Sequence, residues 1–259
     1  MTLSWLSIIR LGLVQMCLGA VVVLMTSTLN RLMVVELSLA ATLPGALVAI
    51  HYLVQVSRPK WGFISDMQGN RTKWIIIGML ILALGANLAA LCILLYPINA
   101  TAAISLSFLA YILIGVGVGA SGTSLLALLA AHTIQRRRAA AATITWLMMI
   151  FGIAVTATVV GALLDPYSGQ RLIKIVLALT LLTIIITIIA ISYHICWYTG
   201  ATDWESSTRT QIISIKIIII ICNLCTATPL SRTILHTVIR WIIITFVTLI
   251  LHIITIGYI

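Results

Sequence analysis

Residues 57–74, SRPKWGFISDMQGNRTKW, carry a large share of the charge of this 259-residue chain. The whole chain is 62% hydrophobic and only 8% charged, and its mean hydropathy is +1.21. A soluble core cannot bury so much apolar surface, so the composition predicts an all-α membrane protein. The stretch contains five charged residues: Arg58, Lys60, Asp66, Arg71 and Lys73.

The long uncharged gaps on either side of this stretch predict the membrane spans. A helix needs roughly 20 apolar residues to cross the hydrocarbon core. The gaps 11–30, 37–57 and 139–164 contain 20, 21 and 26 residues, and each suits one helix. The gap 74–135 contains 62 residues and is broken at Tyr96-Pro97-Ile98-Asn99, so it predicts two helices.

A sixth span is predicted at about 171–193, so residues 1–193 are expected to form a six-helix transmembrane bundle. Residues 194–259 form an Ile- and Thr-rich tail with two shorter gaps, 217–231 and 241–259, which predict one or two apolar helices. Fourteen of the 16 glycines precede residue 193. This change in composition suggests the hypothesis that the tail derives from a frameshift or a degraded gene.

The basic residues predict the orientation of the bundle. With a cytoplasmic N-terminus, eight basic residues face the cytoplasm and three face the other side. This asymmetry agrees with the positive-inside rule, so the net charge of +10 indicates membrane topology and no nucleic-acid partner. The eight are Arg10, Arg58, Lys60, Arg71, Lys73, Arg136, Arg137 and Arg138, and the three are Arg31, Arg171 and Lys174.

Within the opening stretch, small residues permit a tight turn, and the carboxylate of Asp66 can pair with Arg71 or Lys73. Such a turn can latch two cytoplasmic helix ends. The spacing of a glycine, an aspartate four residues later and a Gly-Arg-Lys cluster resembles the loop signature of the major facilitator superfamily. The predicted latch consists of Gly62, Asp66, Gly69, Arg71 and Lys73.

Five other stretches resemble the PucC family, the bacteriochlorophyll-delivery branch of that superfamily. The resemblance covers about residues 8–193 in order and spacing, and the tail is unmatched. The stretches are TLNRLMVVEL (28–37), HYLVQVSRPKWGFISD (51–66), GVGASGTSLLALLA (117–130), RRRAAAATITWLMMI (136–150) and GALLDPYSGQRL (161–172).

The resemblance implies the N-terminal six-helix half of a facilitator fold in a bacterial inner membrane, either cytoplasmic or intracytoplasmic photosynthetic. It also implies a role in light-harvesting antenna assembly, with bacteriochlorophyll as cargo and not as a resident cofactor. Light-harvesting polypeptides and the pigment-synthesis machinery are then expected partners. Because a full facilitator has two halves, a separately encoded half or a second copy is a further expected partner.

Four residues are candidates for binding substrate, protons or pigment: Asn30, Arg31, Glu36 and His51. Ionisable groups at membrane depth are costly unless they are paired or face a polar cavity. Arg31 and Glu36 are therefore either a functional pair or interfacial anchors. A neutral imidazole at residue 51 either binds a chlorophyll magnesium, joins a proton relay or makes a hydrogen bond inside the bundle.

The run GVGVGASGTS (115–124) removes side-chain bulk from one stripe of its helix, so another helix can approach closely. It lies within an apolar span and lacks a following Lys-Ser/Thr pair, which argues against a phosphate-binding loop. Helix packing is therefore expected at Gly115, Gly119 and Gly122.

No catalytic constellation or metal-ligand set is evident, because the five acidic residues are spread across loops and Cys222-Asn-Leu-Cys225 lacks a second pair. An enzyme is not expected. The alternatives to pigment handling are a proton-coupled small-molecule transporter and a truncated, non-functional product. The antenna complex served, the oligomeric state and the role of the tail stay open.

Overall fold

The computed structural model describes the backbone of residues 3–199 and the side chains of residues 3–191. The predicted tail helices and the frameshift hypothesis concern residues that lie almost entirely outside this range. All regular structure in the described part is helical. The α-helices are α1 (Trp5–Val23), α2 (Asn30–Val35), α3 (Thr42–Gln55), α4 (Arg58–Met67), α5 (Arg71–Leu95), α6 (Ala100–His132), α7 (Arg138–Leu163) and α8 (Gly169–Thr199).

Two short segments complete the helices. A π-helical segment, Leu24–Leu29, joins α1 to α2, and a 3-10 turn, Gln135–Arg137, precedes α7. Among the described residues, five helical segments are long and apolar enough to cross a membrane. The described part of the chain is therefore all-helical, and its apolar helices indicate a multi-pass membrane protein, as the composition predicted. The five are Trp5–Val35, Arg71–Leu95, Ala100–His132, Gln135–Leu163 and Gly169–Ile191.

The second predicted span, 37–57, differs from the expectation of one crossing helix. Helix α3 contains only 14 residues, about 21 Å at 1.5 Å per residue, which is shorter than the hydrocarbon core. The backbone turns at residues 56–57 before α4 begins. Pro59 lies in the first turn of α4, and its ring would clash with the Gln55 carbonyl if α3 continued through it.

The predicted cytoplasmic loop also differs, because most of it is helical. Helix α4 includes Gly62, so this glycine does not form the turn that its small size suggested. Only residues 68–70 separate α4 from α5. Gly69 has φ +66°, a left-handed conformation that favours glycine. The tight turn is therefore centred on Gly69.

Three connections lie together at one end of the bundle. The Leu3 amide donates to the His132 carbonyl at 2.9 Å, and Arg71 Nη1 donates to the Ala127 carbonyl at 2.9 Å. The Arg137 guanidinium lies 5.2 Å from the centre of the Trp5 ring. The N-terminus, the α4–α5 turn and the α6–α7 connection thus share this end, which we call the basic end.

Glycines permit a close backbone contact between α5 and α6. A Cβ atom added at Gly117 would lie 2.6 Å from the Leu82 nitrogen, and one added at Gly78 would lie 2.6 Å from the Ser121 nitrogen. The two backbones therefore touch where side chains are absent, as is typical of membrane helices. Gly161 provides a contrast, since nothing lies within 4 Å of its added Cβ.

We predict that Gly117→Leu destabilises the bundle, because a leucine there forces α5 and α6 apart. The expected loss is at least about 1–3 kcal/mol, the usual cost of overpacking. Gly161→Leu is the matched control, and its melting temperature should stay at the wild-type value. Thermal unfolding of the detergent-purified proteins measures both. Equal melting temperatures for the two variants would contradict the proposed role of the contact.

Candidate functional site

The α4–α5 turn contains an ion pair that ties three helices together. Arg71 Nη2 and Nε both lie 2.8 Å from Asp66 Oδ1. The same guanidinium donates to the Ala127 carbonyl of α6. Lys73, the other predicted partner of Asp66, is exposed and pairs with no acid in the described part of the chain. Arg71 therefore links the end of α4, the start of α5 and the last turns of α6.

Aromatic residues flank this turn. Trp74 Nε1 donates to Gln68 Oε1 at 3.0 Å, and the ring centroids of Trp61 and Trp74 are 5.7 Å apart. Trp61 also donates to the Ser57 hydroxyl at 3.0 Å. The turn is thus fixed by side chains from both α4 and α5.

Three polar side chains follow one face of α3 and the start of α4. His51 is 1% exposed, and its Nε2 lies 2.6 Å from the Gln55 Nε2. Gln55 Oε1 accepts a hydrogen bond from Arg58 Nη2. The row extends from the buried imidazole toward the basic end, where Arg58 is exposed. We call His51, Gln55 and Arg58 the α3 polar row.

The order of donors and acceptors fixes the chemical state of the imidazole. Because the Arg58 guanidinium can only donate, it selects the oxygen of the Gln55 amide. The amide nitrogen therefore points at His51 and donates, so His51 Nε2 must accept. In a neutral imidazole the proton then lies on Nδ1. This Nδ1 is buried and has no hydrogen-bond partner among the described residues.

The glycines of the α6 stripe differ in how closely they are approached. A Cβ at Gly115 would lie 2.8 Å from the His51 carbonyl oxygen, so this glycine permits α3 to pack there. At Gly119 the added Cβ would lie 3.4 Å from Trp61, and at Gly122 it would lie 3.7 Å from Leu18. The last two positions have ordinary van der Waals contacts, so of these three predicted packing glycines only Gly115 is sterically required.

Asn30 follows the π-helical segment and is tied to it. Its Nδ2 donates to the Thr26 carbonyl at 3.4 Å. Within the segment, the Met25 carbonyl accepts from the hydroxyl of Tyr111 at 3.2 Å, and Tyr111 is fully buried. The wider turn of a π-helix leaves carbonyls to be satisfied from outside the helix. Tyr111 of α6 supplies the hydrogen bond that the Met25 carbonyl lacks within its own helix.

Arg31 and Glu36 are both exposed, and no ion pair joins them in the described part of the structure. Neither side chain is hydrogen-bonded to His51. Tyr167 lies near Glu36, and burial, followed by the negative charge of Glu36, raises the pKa of this tyrosine. Glu36 therefore lies near the α7–α8 connection. The candidate residues Asn30, Arg31 and Glu36 do not join the α3 polar row.

A small apolar crevice lies between α2, α3, α5 and α6. Its volume of about 10 Å³ holds roughly one water molecule. The lining is almost entirely aliphatic, so it offers no polar recognition. It is formed by Met33, Leu37, Leu39, Leu43, Leu47, Cys92, Ile93, Tyr96, Ala103, Ile104 and Ser107.

The sequence interpretation missed Gln55 and Arg58 as partners of His51. Their spacing of four and then three residues places all three on one helix face, and this signal was available. It was hidden because Arg58 was assigned to the loop and not to a helix. No group of three or more His, Cys, Asp or Glu side chains in the described residues is arranged to hold a metal ion.

The amino-acid sequence matches the model of a known protein family. The family described as PUCC protein matches residues 28–209. This chain belongs to the PucC family. The resemblance drawn from the sequence is thus confirmed. The matched region starts within the first span and extends past residue 193, where the resemblance was expected to stop.

Curated relatives from two bacteria are similar over most of this chain. "Bacteriochlorophyll synthase 44.5 kDa chain" of Rhodobacter capsulatus is 65% identical over 191 residues, 74% of this chain and 45% of the relative. "Protein PucC" of the same organism is 29% identical over 71% of this chain and 42% of the relative. "Protein PucC" of Cereibacter sphaeroides is 25% identical over 81% and 46%, respectively. The chain thus spans less than half the length of these relatives, and no solved structure matches it.

The geometry of the turn predicts a ranking of substitutions. Arg71→Ala removes the bond to α6 as well as the ion pair, so it should lower the free energy of unfolding by about 1–2 kcal/mol. Asp66→Asn removes a partly exposed ion pair and should cost at most about 1 kcal/mol. Lys73→Ala is the control and should be neutral. Thermal unfolding in detergent tests the order, and a larger effect of Lys73→Ala than of Arg71→Ala would refute it.

Proposed function

We propose that this protein assists the assembly of light-harvesting antenna complexes by handling or delivering bacteriochlorophyll within the membrane. The observation that carries the proposal is the 65% identity to a protein named as a bacteriochlorophyll synthase chain. Membership of the PucC family and the membrane-spanning helices support it. The expected partners are light-harvesting polypeptides and the pigment-synthesis machinery, and the expected location is a bacterial inner membrane.

For the fold, we propose that residues 1–193 form the first six-helix half of a facilitator. In this arrangement α3 and α4 together make the second span, bent at residues 56–57. The grouping of the α4–α5 turn with the α6–α7 connection at the basic end supports an alternating up-and-down path. Because the chain covers 45% of its 65%-identical relative, we propose that a second half or a second copy completes the functional unit.

We further propose a non-catalytic role, although the name of that relative includes the word synthase. The described residues contain three acids, Glu36, Asp66 and Asp165. Asp66 is engaged by Arg71 at the basic end, and Glu36 lies near Tyr167 in the α7–α8 connection. A paired-carboxylate mechanism needs two acids at one site. Asp66 therefore lies apart from Glu36, which leaves Asp165 of the α7–α8 connection as the one described acid that could pair with Glu36.

The pigment proposal predicts that the protein purified from a phototrophic host carries bacteriochlorophyll. The absorption spectrum of the purified protein should show the bands of the pigment, and solvent extraction should give its amount per chain. A host unable to make bacteriochlorophyll provides the control and should yield colourless, folded protein with a lower melting temperature, because a ligand bound to the native state stabilises it. A colourless preparation from the pigmented host would argue against pigment handling.

The proposed orientation predicts which side of the membrane each connection faces. Met67, in α4, and Ile98, between α5 and α6, are 73% and 82% exposed, respectively. In a variant without native cysteines, Met67→Cys should react with an impermeant maleimide only in inside-out vesicles. Ile98→Cys should react only in right-side-out vesicles. The opposite labelling pattern would show that the N-terminus lies outside.

A further inference from the structure

The imidazole of His51 presents a donor that the described chain does not satisfy. The side chain is 1% exposed, and its Nδ1 has no hydrogen-bond partner. The donation from Gln55 to Nε2 assigns the ring proton to Nδ1, so the unsatisfied group is an N–H. Buried N–H groups are nearly always paired in native proteins. This one therefore points to an acceptor that comes from outside the described chain.

We propose that His51 recognises its ligand by donating the Nδ1 hydrogen to a carbonyl oxygen, and not by coordinating a magnesium ion. The inference rests on the proposed function, which supplies a carbonyl-bearing tetrapyrrole as the ligand. Ring and ester carbonyls of bacteriochlorophyll are suitable acceptors. His51 is then a residue that selects the orientation of the pigment.

The α3 polar row favours donation over coordination. A magnesium ion needs an imidazole lone pair, and the Nε2 lone pair is already engaged by Gln55. Gln55 is itself held by Arg58 on its other side, so freeing Nε2 disrupts two hydrogen bonds. Coordination would also leave the Nδ1 proton without an acceptor. Donation to a carbonyl keeps the row intact and satisfies the one unpaired group.

Helix α3 is held against the bundle by few buried residues. Only three of its 14 residues are buried: Pro44, Leu47 and His51. The neighbouring side chains Tyr52, Leu53 and Val56 are 55–74% exposed, so this helix has an apolar outer face. The Tyr52 ring lies edge-on to the imidazole, with centroids 5.1 Å apart. Because His51 is 1% exposed and α3 packs closely on α6 at Gly115, the proposal requires that α3 move away from α6 when the pigment binds.

The test compares two pigments that differ only at the centre of the ring. The full-length protein, purified without pigment, is titrated with bacteriochlorophyll a and with bacteriopheophytin a, which carries two protons in place of magnesium. Donation to a carbonyl predicts equal affinities. A bacteriopheophytin affinity that is tenfold or more weaker would establish coordination and overturn the inference while leaving the proposed function standing. Failure of both pigments to bind would overturn the proposed function as well.

Two substitutions at the same position provide matched variants. His51→Phe keeps a flat ring but removes the donor, so it should weaken both pigments by about tenfold, the usual contribution of one hydrogen bond. His51→Asn places an amide N–H near the position of Nδ1 and should restore most of the affinity. A carbonyl stretching band of the bound pigment should lie at lower frequency in wild type and His51→Asn than in His51→Phe.

Unchanged affinity and an unchanged carbonyl band in His51→Phe would refute the donor role even if pigment binds. Thermal unfolding of the variants verifies that they are folded. If His51→Phe fails to fold, the comparison of the two pigments still decides between donation and coordination, because coordination predicts a strong dependence on magnesium.

Discussion

Charge is costly in the hydrocarbon core, and this constraint determines where every other feature of the bundle can lie. In the described residues most cations lie at or near helix ends, and long apolar segments separate them. Arg71 shows how such a charge is used: its guanidinium neutralises Asp66 and satisfies a carbonyl of α6 at the same time. The charged end therefore also holds three helices in register.

Inside the bilayer the same constraint is met by hydrogen bonds within the helices and by close packing. Buried threonines of α8 donate to carbonyls of their own helix, and Asn87 of α5 donates to the Thr180 hydroxyl at 3.0 Å. Lipid supplies no hydrophobic force between helices, so contact depends on backbone proximity. Gly117 and Gly78 provide it between α5 and α6. His51 Nδ1 is, with Gln15 Oε1 and the hydroxyls of Ser121 and Ser124, among the few buried polar atoms of the described residues that have no hydrogen-bond partner.

The uncharged gaps were sufficient to predict most spans. Charged residues are read directly from the sequence, and the thickness of the bilayer fixes how many apolar residues a crossing helix needs. The predicted break near Pro97 is present, and α6 begins at Ala100 with Asn99 as its N-cap, accepting from the Ala102 amide at 3.1 Å. The end of α3 was missed because it depends on the steric conflict between Pro59 and a preceding carbonyl. The close contact at Gly117 was missed because it depends on which atoms of α5 lie opposite each glycine of α6, and the sequence of α6 does not contain this information.

The α3 polar row also bears on the choice between pigment handling and proton-coupled transport. A relay histidine must accept a proton on its free nitrogen during the cycle. Protonation of His51 would place an N–H on Nε2, directly opposite the Gln55 amide donor at 2.6 Å. Rotation of the amide to accept from Nε2 would set its nitrogen against the Arg58 guanidinium, donor against donor. The row thus favours a neutral imidazole that donates, which suits the binding of a carbonyl-bearing pigment better than the transfer of a proton.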